Sequence, residues 1–403
     1  MEDWKSEKII LNIKRGAMLK VKSRLDKKKV FMFSSVHVWI DTRIYYKEAM
    51  TLARNGYHVD LYAIENGTSI TDTSVKVHLL PNKSRWHRPS RWRYLYKEAL
   101  KSDALYYHFH DPELLIVAEK LRKKKPDAII IYDMHEHFPS QIMTKEWIPK
   151  LIRKPLSSWI HGKEKRAMQV CNSVIFAEKS YVSNYPEYKG LKKELLNYPT
   201  WQLKKKVLKE EKFTFIYVGD IVIERNVFGM LELISELKDR GYKDIQLKLI
   251  GPVDISLELQ LTEKIAELGI EEEVNLYGRI PYDEIWNHYR TAHIGLCLLY
   301  PHPNFVHSLA TKLYEYMAAG LPSIISDFPD WKVLTLETNC GITVDPYSLS
   351  NITDAAENLM NNPQLFRTLS ESGRAAFEKH YNWESESKKL EQLYEQLLQV
   401  RFE

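Results

Sequence analysis

The sequence predicts an α/β protein made of two Rossmann-like domains, each a doubly wound parallel sheet. Three observations carry this reading. Short apolar runs rich in Val, Ile, Phe and Tyr alternate with amphipathic helical segments through both halves, which is the grammar of βαβ units. The alternation breaks at residues 197–212, NYPTWQLKKKVLKEEK, where periodicity is lost and charge piles up as in a linker. With 403 residues the chain is long enough for two hydrophobic cores. The expected organisation is a basic extension over 1–28, a first domain over 29–196, the linker 197–212, a second domain over 213–380 and a closing helical segment over 381–403.

Composition narrows the class. Hydrophobic residues make up 44% and charged residues 28%, as in ordinary globular proteins, so disorder is excluded. No apolar run approaches the roughly 20 residues that span a bilayer. The start, MEDWKSEKIILNIKRGAMLKVKSRLDKKK, lacks the apolar centre and cleavage site of a secretory signal. Cys171, Cys297 and Cys340 have no metal-ligand spacing and read as buried thiols in a reducing cytosol. Residues 1–200 hold 37 Lys and Arg against 22 Asp and Glu, whereas residues 201–403 hold 21 against 31. A basic first half points to an anionic partner surface, either membrane phospholipid or nucleic acid.

In chain order, Trp4 to Lys29 reads as a basic tail, with an interfacial amphipathic helix as the alternative. Val30 to Ser34 is the first strand. Ile44, Ala49, Leu52 and Ala53 then mark a helical face, Gly56 closes it, and Val59 to Ala63 is the next strand. Parallel sheets bind ligands at the carboxyl ends of their strands, which puts His37, Asp41 and Arg43 in a ligand loop. No Gly-x-Gly-x-x-Gly follows the strand, against a conventional dinucleotide site. Lys83 to Lys97 interleaves four arginines and two lysines with Trp86, Trp92, Tyr94 and Tyr96. That pattern suits a membrane interface, a single-stranded nucleic acid, or a surface helix that lends aromatics to the core.

The run Ala104 to Phe109 ends at His110 and Asp111, and the run Ala128 to Tyr132 ends at Asp133, His135 and Glu136, so two polar clusters should converge at neighbouring strand tips. Neither cluster has the helical His-Glu-x-x-His spacing of a zinc site, and no bound metal is expected. A helix, the strand Ser173 to Ala177 and the start of another helix complete the first sheet.

The second half restarts with FTFIYVGD as a strand ending at Gly219, then a helix, the strand IQLKLIG, a helix, VNLYGRI, the helix YDEIWNHYRTA and the strand IGLCLLYP. Residues 307–327, HSLATKLYEYMAAGLPSIISD, follow. Ser308 or Thr311 can open a helix, Leu309, Leu313, Tyr316 and Met317 line one face, Gly320 caps it and Pro322 stops it before a buried strand. The first turn of such a helix holds unpaired N–H groups and partial positive charge, and Lys312 adds a full charge, so it can hold a phosphate. Glu315 lies almost one turn on, able to accept from hydroxyls.

The string KLYEYMAAGLPSI resembles the signature of the retaining family-4 glycosyltransferases. The resemblance implies the GT-B fold, two Rossmann-like domains facing a cleft, with the closing helices around Tyr381 to Leu398 packing back on the first domain. It assigns Glu315 to ribose hydroxyls, and it places His307 where the family usually has a sugar-binding Glu. HFHDPELL resembles the segment carrying the family's active-site histidine, which falls on His110. YDMHEHFP resembles the next strand end, so Asp133, His135 and Glu136 join His37, Asp41, Arg43 and Asp111 on the acceptor side. For the donor diphosphate the resemblance implies Gly219, Arg225, Lys312 and the N–H groups of Ala310, Thr311 and Lys312, with Arg279 beside the nucleobase. Asp220 stands where the family has a first Arg.

The implied activity is transfer of a hexose from UDP- or GDP-sugar to a glycan or lipid-linked acceptor, with retention, in surface-polysaccharide or cell-envelope synthesis. His110, Lys312 and Arg225 are the expected catalytic residues. No Asp-x-Asp occurs, against a metal-bridged donor, so no cofactor is expected beside the nucleotide-sugar co-substrate. The expected location is the cytoplasm, peripheral at the inner membrane face through the basic half, with no nucleic acid partner. A sugar-nucleotide epimerase of the same fold, and an inactive membrane- or nucleic-acid-binding protein, are the competing readings.

Overall fold

A computed structural model describes residues 28–70, 72–145, 148–201, 209–306 and 308–402. Most of the basic extension, part of the linker and His307 lie outside the described residues. The chain forms two compact units: the described residues through Asn197 joined by those from Glu386 on, and Tyr198–Ser385.

The first unit holds β1 (Lys29–Val38), β2 (His58–Ile64), β3 (Lys76–Leu80), β4 (Tyr106–Phe109), β5 (Ile129–Met134), β6 (Ser173–Phe176) and β7 (Leu191–Glu194), in the spatial order β3-β2-β1-β4-β5-β6-β7. Every pairing is parallel. The second unit holds β8 (Phe213–Val218), β9 (Ile245–Ile250), β10 (Val274–Gly278), β11 (Ile294–Cys297), β12 (Ser323–Ser326) and β13 (Gly341–Val344), in the order β10-β9-β8-β11-β12-β13, again parallel. Both sheets therefore run 3-2-1-4-5-6, the doubly wound order, and the first adds an edge strand.

Central strands are covered on both faces, which is why they read as continuous apolar runs. In the first unit Phe31 stacks on Tyr62 and Phe109 on Tyr132. In the second, Phe215, Leu247, Leu249, Leu296 and Ile324 pack with Met230, Leu231, Ile234 and Leu237 of the helix Val227–Asp239. The two edge strands β3 and β7 carry Lys76 and His78, and Lys192 to Glu194. Charged edges keep a sheet from pairing with another chain, and they also hide a strand from periodicity, so neither was expected.

The segment expected as an ordinary helix after β1 begins as a π-helical stretch, Thr42–Ala49, and continues as Met50–Arg54. Asp41 caps it, accepting from the N–H groups of Arg43 and Ile44 at 2.9 and 3.0 Å. The wide turn sets Arg43, Lys47 and Glu48 facing inward. The last helix, Trp383–Phe402, joins the first unit from Glu386. The Glu386 carboxylate accepts from Leu196 N–H at 2.9 Å, and the Tyr394 carbonyl accepts from the Tyr106 hydroxyl at 3.0 Å.

Candidate functional site

In sheets of this order the connections leave neighbouring strands 1 and 4 on opposite faces, so a crevice opens at their carboxyl ends. In the second unit that point lies between β8 and β11. Gly219, one residue past β8, has φ +141°, and a Cβ there would stand 2.8 Å from Arg225 Nη1 and 3.4 Å from Lys312 Nζ. Two cations thus converge over a backbone that only glycine leaves open. The Lys312 ammonium lies 5.1 Å from the centre of the Tyr217 ring. Arg225 Nη1 donates to the Tyr217 hydroxyl at 3.2 Å and to the Asp220 carbonyl at 3.4 Å.

The only acid in an ion pair with either cation among the described residues is Asp220, 3.5 Å from Arg225 and largely exposed, so solvent screens the pair. Lys312 is buried and has no carboxylate partner among the described residues. A buried ammonium without a counter-charge favours binding an anion. It stands in the first turn of the helix Thr311–Ala319, whose cap, Ala310, has no side-chain acceptor and leaves the first-turn N–H groups to a ligand. Gly320 closes the helix in the left-handed region at φ +67°.

Neighbouring contacts hold this arrangement. The Trp331 indole donates to the Ser308 carbonyl at 2.8 Å, and Tyr300 N–H donates to the Glu224 carbonyl at 2.9 Å. Asn226, missed by the sequence reading, takes φ +58°, donates to the Pro346 carbonyl and accepts from Gly229 N–H, which sets the turn that carries Arg225. An Asn at the mouth of a helix was the available signal. Glu315 accepts from the Tyr289 hydroxyl at 2.7 Å, so its carboxylate is oriented and retains acceptor capacity. Arg279 is exposed just past β10.

The first unit has its crevice between β1 and β4, and there the charges are answered internally. Arg43 binds Asp133 through two parallel hydrogen bonds, 2.9 and 2.7 Å, and donates to the Leu195 carbonyl at 2.8 Å. Asp111 is buried and accepts from Ser34 Oγ at 3.0 Å and Ser35 N–H at 2.5 Å. His110 Nδ1 and His135 Nε2 lie 3.2 and 2.5 Å from the same Asp133 oxygen. His37 Nδ1 faces Asp41 at 3.2 Å, and its ring lies edge-on to that of His135. The structure thus gathers His37, Asp41, Arg43, His110, Asp111, Asp133 and His135. Glu136 is exposed and accepts from the Gln141 amide.

Glu48 and His108 enlarge this cluster. Glu48 is fully buried, and although Arg43 Nε is 3.0 Å from one of its oxygens, that N–H is aimed at Asp133, so both Glu48 oxygens lack a hydrogen bond. His108 Nδ1 meets the Tyr394 hydroxyl at 2.9 Å, and its Nε2 lies 3.5 Å from Glu48.

Burial and the Asp133 charge outweigh Arg43 and push the Glu48 carboxyl well above the usual carboxylate range. Burial opposes the Asp133 charge too, but Arg43, His135 and His110 overcome it and hold that carboxyl well below its usual range. Burial, against the hydrogen bond to Asp133, lowers His110 to about 4. A neutral His110 must donate from Nδ1 to the carboxylate, which leaves Nε2 as an acceptor without a partner. His37 goes the other way: burial resists its charge, yet the hydrogen bond to Asp41 and the carboxylates of Asp111, Asp41 and Glu136 raise it to about 9.

Glu48, His108, His110 and Asp133 each offer one ligand atom, all within 4.8 Å of one another, a set that could hold a metal ion. Arg43 already takes both Asp133 oxygens and stands beside Glu48, so the charge a metal would answer is answered by guanidinium. Arg43 thus occupies the place of a counter-charge to these two carboxylates.

Residues 200–376 match the family described as glycosyl transferases group 1. The chain is 27% identical over 157 residues to an alpha-D-kanosaminyltransferase of Streptomyces kanamyceticus, covering 39% of each. It is 24% identical over 178 residues to an MMP alpha-(1->4)-mannosyltransferase of Mycolicibacterium hassiacum, covering 43% of this chain and 40% of that one. These matches span about two fifths of the relatives' length. Among solved structures, a sucrose-phosphate synthase from Thermosynechococcus elongatus superposes with a TM-score of 0.73 at 17% identity, covering 93% of this chain and 100% of that one. Anabaena Alr3699/HepE in complex with UDP superposes with a TM-score of 0.66 at 11% identity, covering 92% and 100%. The fold is the GT-B pair of Rossmann-like domains.

Proposed function

From a chain whose residues 200–376 form a glycosyl transferases group 1 domain, we propose a glycosyltransferase that draws on a nucleotide-sugar donor. One observation carries the proposal: Lys312 and Arg225 converge over Gly219 at a helix N-terminus, with no buried acid to neutralise them among the described residues. That is the charge pattern a diphosphate needs. The similar HepE structures hold UDP and UDP-glucose, which supports a uridine nucleotide as the first donor to try.

In the proposed reaction the acceptor hydroxyl attacks the anomeric carbon from the face the diphosphate leaves. The bond from that carbon to the phosphate oxygen breaks, and its electron pair stays on the nucleoside diphosphate. The departing phosphate takes the hydroxyl proton, so configuration is retained. Charge that grows on the phosphate is met by Arg225, Lys312 and the N–H groups of Ala310, Thr311 and Lys312, in a form that needs no reorganisation. Glu315 accepts ribose hydroxyls through its remaining capacity, and in the first unit His110 Nε2, an acceptor without a partner, is suited to a hydroxyl of a bound sugar. The transfer so written needs no resident metal or cofactor.

The wider reading is hexosyl transfer to a glycan or lipid-linked acceptor of a surface polysaccharide, at the cytoplasmic membrane face. A thermal-shift screen of nucleotide sugars tests the core of the proposal. A ligand at about 100 times its Kd stabilises by about 2.7 kcal/mol. Stabilisation by one nucleotide sugar that disappears in Lys312→Ala is the expected result. No response to any nucleotide sugar or nucleoside diphosphate would refute it.

A further inference from the structure

We propose that the outward face of the helix Lys150–Ala167 is a docking surface for anionic phospholipid. This sharpens the membrane part of the proposed function and takes its occupant from that reading, but it uses none of the donor-site chemistry.

The helix exposes an apolar strip that an ordinary surface helix would bury. Leu151, Pro155 and Trp159, four residues apart, share one face with Ile152, and all are exposed, Leu151 at 93% and Trp159 at 61%. The other side is mixed, with Leu156 and Ile160 half-buried beside polar groups. Glu164, the helix's only acid, accepts from the hydroxyls of Tyr132 and Tyr185 at 3.2 and 2.5 Å. Ser157 Oγ donates to the Pro139 carbonyl and Arg153 Nε to the Ile148 carbonyl. A contiguous strip of large apolar residues facing water marks an interaction surface.

Charge selects the occupant. Lys154 borders the apolar strip on one side and Lys163 on the other, and Lys150 stands at the first turn. Among the described residues no acid pairs with any of the three. The Lys163 ammonium lies 5.6 Å from the Trp159 ring, the cation and indole combination that sits at headgroup level. A second copy docked face to face would set these lysines against one another, whereas a sheet of phosphate headgroups answers them while the apolar strip enters the acyl boundary. The aromatic-basic segment 83–97 is a weaker candidate, because Arg91 and Leu95 are buried and Trp92 and Tyr96 pack against the core, with Arg91 donating to the Ser35 and Pro81 carbonyls.

The experiment is flotation of the full chain with vesicles of phosphatidylcholine alone, or with about a third phosphatidylglycerol, where each basic residue near the surface adds binding. The chain should float with the anionic vesicles. The pair Leu151→Glu and Trp159→Glu, and separately the pair Lys154→Glu and Lys163→Glu, should each cut the partition coefficient at least ~10-fold. These positions are exposed, so Tm and the nucleotide-sugar thermal shift should be unchanged. The proposal falls if wild type ignores anionic vesicles, if both variants float like wild type, or if sedimentation shows a dimer that the same substitutions dissociate. A variant that keeps its donor shift but loses flotation separates this surface from the catalytic reading, and a missing donor shift in wild type sinks that reading alone.

Discussion

The two strand-1 and strand-4 crevices of this molecule share one topology and treat charge in opposite ways. Between β1 and β4 the guanidinium of Arg43 is spent on Asp133, and the Glu48 carboxyl beside them is pushed well above the usual range by burial and the Asp133 charge. Between β8 and β11, Lys312 and Arg225 are left without a buried acid among the described residues. Strand order alone thus locates a crevice but does not say what enters it; the counter-charge does. A self-neutralised crevice holds its shape and offers hydrogen bonds, and an open cationic one takes an anion.

The comparison breaks most visibly if the paired crevice behaves like the open one. Asp133→Asn removes the carboxylate and leaves Arg43 buried without its partner, which typically costs about 3–5 kcal/mol. Chemical denaturation should show that loss, and a stability within error of wild type would mean the Arg43 and Asp133 pair does not hold the crevice together. In the open crevice the cost falls on catalysis. Lys312→Ala or Arg225→Ala should lower kcat/KM for the donor by at least ~100-fold with the chain still folded, by analogy with loss of one charge-stabilising donor. Unchanged rates in both variants would remove the donor assignment.

How much of this could be read from the sequence follows the same division. The second unit was legible almost strand by strand, because its runs are apolar and its helices periodic, and the Lys312 helix ends at Gly320 as expected, although it starts behind Ala310 with no side-chain cap from Ser308 or Thr311. The edge strands β3 and β7 were not, since their charges serve the edge and break the pattern. In the first unit the polar residues at strand ends were found, but the pairing of Arg43 with Asp133, 90 residues apart, follows from the sheet order and not from any local pattern. Glu48 was missed for a related reason: in a helical stretch an acid reads as solvated, and only the π-helical turn rotates it inward.

Glu48 supplies a finer test. If it is neutral, Glu48→Gln keeps its shape and charge state and should change stability by no more than about 1 kcal/mol, whereas a charged Glu48 would make the loss comparable with that of Asp133→Asn. Equal losses in the two variants would mean that burial and the Asp133 charge do not raise the Glu48 carboxyl as far as the geometry implies.

The smallest effect concerns His37, at the rim of the paired crevice. Its pKa is raised to about 9 from an ordinary 6.5, so between those values the folded chain holds a proton that the unfolded chain has released. Stability from this contact is complete below about pH 6.5 and is lost as pH rises through about 9. Wild type should therefore exceed His37→Gln in Tm at pH 6, and the gap should close by pH 10, where His37 is neutral in both states. A gap that widens with pH would mean that Asp41, Asp111 and Glu136 do not hold a proton on His37, and that the rim, unlike the interior, is electrically open.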